Sequence, residues 1–131
     1  MIYVDSNIPM YLVGADHPNK ARVVERVPGL LHAREELVTS AEAFQEIIHR
    51  FRGLGDLEAL VTAYQGLEAL VVRTVEVNKE DTDRARDLVA QYRRLSSRDC
   101  LHVAVMMRIG CRQVWSFDRG FDGVADITRL T

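Results

Sequence analysis

Short runs of β-branched and aromatic residues recur along this chain, separated by segments of helical periodicity, with no hairpin signal between them. The first run, Ile2-Tyr3-Val4-Asp5, passes directly into Ser6-Asn7-Ile8-Pro9, which supplies capping residues and a first-turn proline for a helix. A second helix is expected from about Pro18 to Arg34, interrupted or kinked at Val27-Pro28-Gly29, where proline removes a backbone donor. Glu36 to Thr39 reads as the next strand. Ser40 or Thr39 then caps a helix in which Phe44, Ile47, Ile48 and Phe51 recur at helical spacing, ending near Gly53-Leu54-Gly55. Asp56 caps a further helix to about Leu70, and the β-branched stretch Leu70 to Val77 is a strand. A charged amphipathic helix follows from Asn78 to about Leu95, with Ala85, Leu88, Val89 and Tyr92 on one face. Another runs from Ser96 or Ser97 to Gly110; Gln113 to Phe117 is a strand, and Ile127 to Leu130 a last edge strand. Strands alternating with helices give an α/β fold, a central, mainly parallel sheet flanked by helices. The length of 131 residues fits one domain, 1–131.

Composition narrows the function. With 47% hydrophobic and 27% charged residues the chain has enough apolar material to fold around a core. Seventeen Lys and Arg against nineteen Asp and Glu leave a net charge of -2, so no overall basic excess draws the protein to nucleic acid or to a membrane surface. A polyanionic partner would have to be held by local features. Cys100 and Cys111 form no CxxC pair, which argues against structural zinc or a disulfide framework and for a reducing, cytoplasmic setting. Asp5 interrupts the opening apolar run, so neither a signal peptide nor a membrane span is expected.

The chemistry-bearing residues are carboxylates at strand ends. In an open α/β sheet, ligands bind beyond the carboxyl ends of the strands. Asp5 closes the first strand, and Asp118 follows the strand ending in Trp115-Ser116-Phe117. Asp99 lies in the first turn of the helix leading into that strand, and Glu46 sits beside the apolar stripe of an earlier helix. Any one of them has an ordinary reading: Asp5 and Asp99 as helix-terminal acids, Asp118 as an Asx turn with Asp122 as competitor, Glu46 as a boundary residue with Glu42 as competitor. Together they can reach one end of one sheet. Carboxylates so gathered repel one another unless a cation intervenes, and an all-oxygen donor set favours Mg²⁺ or Mn²⁺ over zinc.

These residues carry a resemblance. The stretches IYVDSNIPMYLVG (2–14), LVTSAEAFQEIIHRF (37–51) and SSRDCLHVAVMMRIGCRQVWSFDRGFDGV (96–124) resemble the PIN-domain ribonucleases, and within them the VapC-type toxins of toxin–antitoxin operons. The likeness spans nearly the whole chain and keeps the order and spacing of the acids. It implies a three-layer PIN fold and a Mg²⁺- or Mn²⁺-dependent endoribonuclease acting on structured RNA such as tRNA or rRNA. The implied catalytic and metal-binding residues are Asp5, Glu46, Asp99 and Asp118, Glu46 binding metal or positioning the attacking water. Ser6, Asn7 and Ser116 match supporting polar positions. Where many relatives read Thr-Asn-Asp before the fourth acid, this chain reads Ser116-Phe117-Asp118. The implied partners are RNA, a cognate antitoxin and a second copy of the chain, with Met10, Tyr11 and Leu12 on the first helix and Phe44, Ile48, Phe51 and Leu54 on a later one as apolar residues of which some are available for docking.

Several guanidinium groups flank the acids, and Arg98 and Arg119 stand nearest to them in sequence as candidate RNA contacts. His102, one turn after Asp99, is read as a packed, hydrogen-bonded histidine, with a place beside the substrate or behind a metal ligand as the alternative. A haloacid-dehalogenase-type phosphatase would want an Asp where Asn7 stands, and a receiver domain needs a lysine that neither Lys20 nor Lys79 supplies. A non-catalytic RNA-binding or scaffold protein on the same fold is the alternative; the presence of all four acids favours the enzyme.

Overall fold

The computed structural model describes residues 1–131. Five strands, β1 (Ile2–Val4), β2 (Leu37–Ser40), β3 (Arg73–Val75), β4 (Gln113–Trp115) and β5 (Thr128–Leu130), form one sheet in the order β3-β2-β1-β4-β5. Every pairing is parallel. The helices are α1 (Asn7–Val13), α2 (Pro18–His32), α3 (Ala41–Leu54), α4 (Leu57–Leu70), α5 (Lys79–Gln91) and α6 (Ser97–Ile109), with a short 3-10 turn at Arg119–Gly123.

Side chains alternate across a strand, and this period builds two cores. Ile2, Val4, Leu37 and Trp115 point to one face and pack with Ile8, Val23, Ala43, Ile47 and Leu67 from α1 to α4. Tyr3, Val38, Val75 and Val114 point to the other, against Ala85, Leu88, Val103 and Val105 from α5 and α6. The result is the three-layer arrangement expected from the sequence. It also turns Tyr3 toward α6, a detail on which the site depends.

The differences from the sequence reading have local causes. Helix α2 runs without interruption through Pro28. The carbonyl that loses its donor belongs to Val24, which is 57% exposed, so water can replace the missing bond. Strand β3 shrinks to three residues because it is an edge strand whose first two side chains face solvent. Helix α5 stops at Gln91, four residues before the expected end, where Tyr92 takes an extended backbone. Val89, expected on its buried face, is exposed. The start of α5 is sharply defined: Asn78 accepts from the Asp81 backbone N–H, and the Asp81 carboxylate accepts from the Asn78 N–H, a reciprocal capping box. Gly110 ends α6 at φ 73, a left-handed conformation that glycine adopts without steric cost.

Strand β1 is central. After it the chain adds β2 and β3 on one side and later β4 and β5 on the other, so the order reverses between β1 and β4. Such a switch point opens a crevice at the carboxyl ends of its two strands. Asp5 follows one of these strands, and Ser116 to Asp118 follow the other.

Candidate functional site

Beyond the switch point lies a cleft of roughly 770 Å³. All four acids are at or beside it: Asp5, Glu46, Asp99 and Asp118 contribute to its wall, as do Ser6 and Asn7. They come from β1's end, from α3, from the first turn of α6 and from the segment after β4. Asp5, Glu46 and Asp99 are buried, whereas Asp118 is exposed. Of the two competitors, Asp122 is bound by Arg129 through contacts of 2.7 and 3.0 Å, and Glu42 is half-buried outside the lining.

Asp5 is gripped from several sides. The Ser6 N–H donates to Oδ1 at 2.7 Å, while Asn7 Nδ2 and Ser116 Oγ donate to Oδ2 at 2.9 and 2.5 Å. Asn7 Nδ2 also donates to Ser116 Oγ, which accepts from the Asp118 N–H at 2.9 Å. Ser6, Asn7 and Ser116 thus hold the first acid and tie it to the loop carrying the fourth. Asp118 itself caps the 3-10 turn, its Oδ1 accepting from the Gly120 N–H at 2.8 Å. The turn-forming role and a place on the cleft coexist in this residue.

Electrostatics separates the acids into two groups. Asp5, Asp99 and Asp118 have no ion-pair partner in the chain, in contrast to Asp81 and Asp122 with their arginines. Burial raises the Asp5 pKa, and the charge of Glu46 adds to the rise against the lowering by His102 and Ser116. Burial and the charges of Asp5 and Asp118 push Asp99 up to about 7. Glu46 behaves differently. Burial would raise its pKa, but hydrogen bonds from His102 and Ser6, with the charges of His102 and Arg98, hold it below the usual carboxylate value.

His102 was expected as a packed, hydrogen-bonded histidine, and it is fully buried with both ring nitrogens engaged. Nε2 lies 2.9 Å from Glu46 Oε1, and Nδ1 lies 2.6 Å from the Tyr3 hydroxyl. Burial opposes a charge on the ring, but the facing Tyr3, Glu46 and Asp5 override it and hold the imidazole pKa well above its ordinary value. Asp5, Glu46 and His102 bring potential ligand atoms within 4.8 Å of one another. Since both His102 nitrogens already have partners, the donors open to a cation are carboxylate oxygens. A set of hard oxygen donors, with Asp5 and Asp99 raised above the usual carboxylate pKa chiefly by burial, is compatible with a divalent cation.

Arg98 stands on the cleft wall. Arg119 lies outside the lining, exposed in the 3-10 turn. The sequence reading missed Arg50, which lines the same cleft with His49, Tyr11 and His17. Arg50 follows Glu46 by one helical turn, and that spacing was the available signal. Cys100 and Cys111 are buried free thiols. No helix is long and apolar enough to cross a membrane.

The chain as a whole is similar to known proteins. The PIN domain family matches residues 2–127. Ribonuclease VapC13 of Mycobacterium tuberculosis is 44% identical over 130 residues, covering 99% of each chain. Ribonuclease VapC23 of the same species is 36% identical over 118 residues, covering 90% of this chain and 93% of its own. Among solved structures, Mycobacterium tuberculosis VapC20, described as a sarcin-ricin loop cleaving toxin, superposes with a TM-score of 0.73 at 21% identity, covering 97% of this chain and 98% of its own. FitAcB from Neisseria gonorrhoeae gives 0.73 at 18% identity, covering 100% and 97%. At such identities the structural likeness speaks for the fold.

Proposed function

The chain belongs to the PIN-domain family and within it to the VapC ribonucleases, and from that membership we propose a divalent-cation-dependent endoribonuclease, the toxin of a toxin–antitoxin pair. The observation that carries the cation dependence is the meeting of Asp5, Asp99 and Asp118 on one cleft without a single basic side chain paired to them. Asp5, Asp99 and Asp118 would hold Mg²⁺ or Mn²⁺, with Glu46 beside them. Such an ion supplies charge neutralisation at a phosphodiester and a water of lowered pKa. Ser116, Asn7 and the Ser6 N–H keep the Asp5 carboxylate oriented, and Glu46 binds the ion or orients the water. Arg98 on the wall, with Arg119 farther out, is placed to meet phosphates flanking the scissile bond. The acidic net charge is no obstacle, since attraction for RNA comes from the ion and these arginines.

Purified protein incubated with total cellular RNA should give discrete cleavage products with Mg²⁺ or Mn²⁺, and none with EDTA. Asp5→Asn and Asp99→Asn should each reduce the cleavage rate by at least ~100-fold, the scale on which removing preorganised transition-state electrostatics acts. Cleavage that survives chelation, or persists undiminished in both variants, overturns the proposal in favour of a non-catalytic RNA-binding or scaffold protein on the same fold.

The partner is part of the same proposal. Phe44 and Phe51 are spent in the core, but Ile48, Leu54, Leu57 and Val61 on α3 and α4 stay 40 to 62% exposed. An apolar surface of this kind suits an amphipathic antitoxin segment or the face of a homodimer. Co-expression with the product of the adjacent gene should yield a complex that withstands purification and lacks the nuclease activity. A toxin that elutes alone and stays fully active beside that product contradicts the assignment. The cytoplasm, where RNA and partner are both present, is the setting this function requires.

A further inference from the structure

Two helix-capping serines in this molecule do not cap. Ser6 precedes α1 and Ser40 precedes α3, yet neither side chain bonds to its own helix. Both hydroxyls forgo the stabilisation of a serine cap and are engaged elsewhere. The Ser6 hydroxyl donates to Glu46 Oε2 and approaches Asp5 Oδ1 at 3.4 Å. Ser40 Oγ lies 2.6 Å from the Tyr3 hydroxyl, which lies 2.6 Å from His102 Nδ1. His102 Nε2 in turn lies 2.9 Å from Glu46 Oε1.

These contacts form one buried chain, Ser40 to Tyr3 to His102 to Glu46, in which the first three residues have no solvent exposure. It joins β2, β1, α6 and α3. Its direction follows from the donor inventory. An ionised Glu46 can only accept, so His102 Nε2 must carry hydrogen and donate to Oε1. With His102 donating at one end and Ser6 at the other, each oxygen of Glu46 is fixed by one bond and retains a lone pair for the cleft.

We propose that His102, itself held by Tyr3, is a positioning residue that sets the Glu46 carboxylate against the Asp5 side of the cation site. This deepens the metal-nuclease reading and rests on it. The alternative view of His102 as a ligand is disfavoured because it would require both of its present bonds to be reconsidered: Nε2 would have to leave Glu46, or Nδ1 leave Tyr3. A purely structural histidine needs no partner in the site, whereas His102 bonds a carboxylate of the cleft wall through the ring nitrogen opposite Tyr3. Outer hydrogen-bond partners of metal ligands typically change metal affinity by about 10- to 100-fold when removed.

The test measures Mn²⁺ uptake by electron paramagnetic resonance in wild type, His102→Leu, His102→Gln, Tyr3→Phe and Glu46→Gln, with melting curves alongside. His102→Gln can keep a donor toward Glu46, whereas His102→Leu cannot. The expected result is Mn²⁺ affinity about 10-fold weaker in His102→Leu, largely recovered in His102→Gln, and weakened to a lesser degree in Tyr3→Phe. On a Glu46→Gln background, His102→Leu should add almost nothing, because the residue it acts through is already altered. Should His102→Leu fail to fold, Tyr3→Phe, which removes a single oxygen, carries the same comparison. Lowered melting temperatures with unchanged Mn²⁺ affinity, or an equal loss in the Glu46→Gln background, overturn the positioning role. Asp99→Asn separates the two levels: if wild type takes up no Mn²⁺, or Asp99→Asn takes up as much as wild type, the metal reading fails and this one with it. If uptake depends on Asp99 but not on His102 or Tyr3, only the positioning role falls.

Discussion

Asp99 shows how a single carboxylate records the purpose of its surroundings. Burial and two neighbouring acids raise its pKa to about 7, so the metal-free protein keeps a proton there that the unfolded chain would release near pH 4. Folded protein then binds more protons than unfolded protein between those values, and stability falls as pH rises through that window. The pairing of His102 with Glu46 acts in the same direction above pH 6.5: its contribution is complete below the unfolded histidine pKa and is lost as pH rises through the folded one. On the proposed function, a cation among the acids would relieve the first effect by taking the place of the proton. Mn²⁺ or Mg²⁺ should therefore raise the melting temperature by several degrees at pH 7.5 and by much less at pH 5.5, measured by calorimetry with EDTA as reference. Equal stabilisation at both values would mean that Asp99 does not face the ion. The position of this acid, first turn of a helix before a strand, was legible in the sequence. Its meeting with Asp5 and Asp118 was also expected from the strand ends, but the depth of burial that raises its pKa was not, because that depends on how α6 seats against the sheet. The same holds for Tyr3 and His102, 99 positions apart, which meet because the strand period turns Tyr3 toward α6.

At the scale of elements, local signals and tertiary context divide the work. The capping residues Asn78, Ser96 and Asp56 and the terminal Gly110 act over three or four positions, and each lies where its pattern indicated. Helix α2 passes through Pro28, and the expected strand before α5 is only three residues long; solvent exposure and edge position decided both. Ser6 and Ser40 occupy cap positions but bond across the site, a choice that no local pattern reveals. Asp81 is a buried structural carboxylate outside the site. It is 2% exposed, completes the α5 capping box and accepts from Arg108 Nε and Nη2 on α6 at 2.8 and 3.0 Å. Burial works against its charge, but Arg108 and the Asn78 N–H hold its pKa below the usual value. Its stabilisation is present above the unfolded pKa and is lost as pH falls through the lower folded one. Asp81→Ala should cost about 2 to 4 kcal/mol in urea unfolding at pH 7, through the lost cap and the arginine left without its partner. RNA cleavage at 25 °C should be retained, since α5 contributes nothing to the cleft. A loss below ~0.5 kcal/mol would show that the α5 to α6 contact is held by apolar packing alone.

For the whole molecule, the sheet order explains why four acids distant in sequence come to one place. A central β1 with later strands added on both sides produces one crevice, and all four acids stand on its wall. Composition describes only the sum: a net charge of -2 hides an acidic centre and arginines dispersed around it. The strand and helix alternation and the covered sheet were readable from periodicity, and the four acids as candidates from two strand ends, a helix first turn and a position beside an apolar stripe. The reach of Arg50 into the cleft and the buried chain behind Glu46 depend on how helices sit against the sheet, and appear only in three dimensions. The most direct measurement of the central claim is Mn²⁺ binding by electron paramagnetic resonance at pH 7.5 in wild type, Asp5→Asn, Asp99→Asn and, as a control away from the cleft, Asp122→Asn. Wild type and the control should bind Mn²⁺ alike, and the two cleft variants should lose most of that binding. Equal binding by all four proteins would contradict the account.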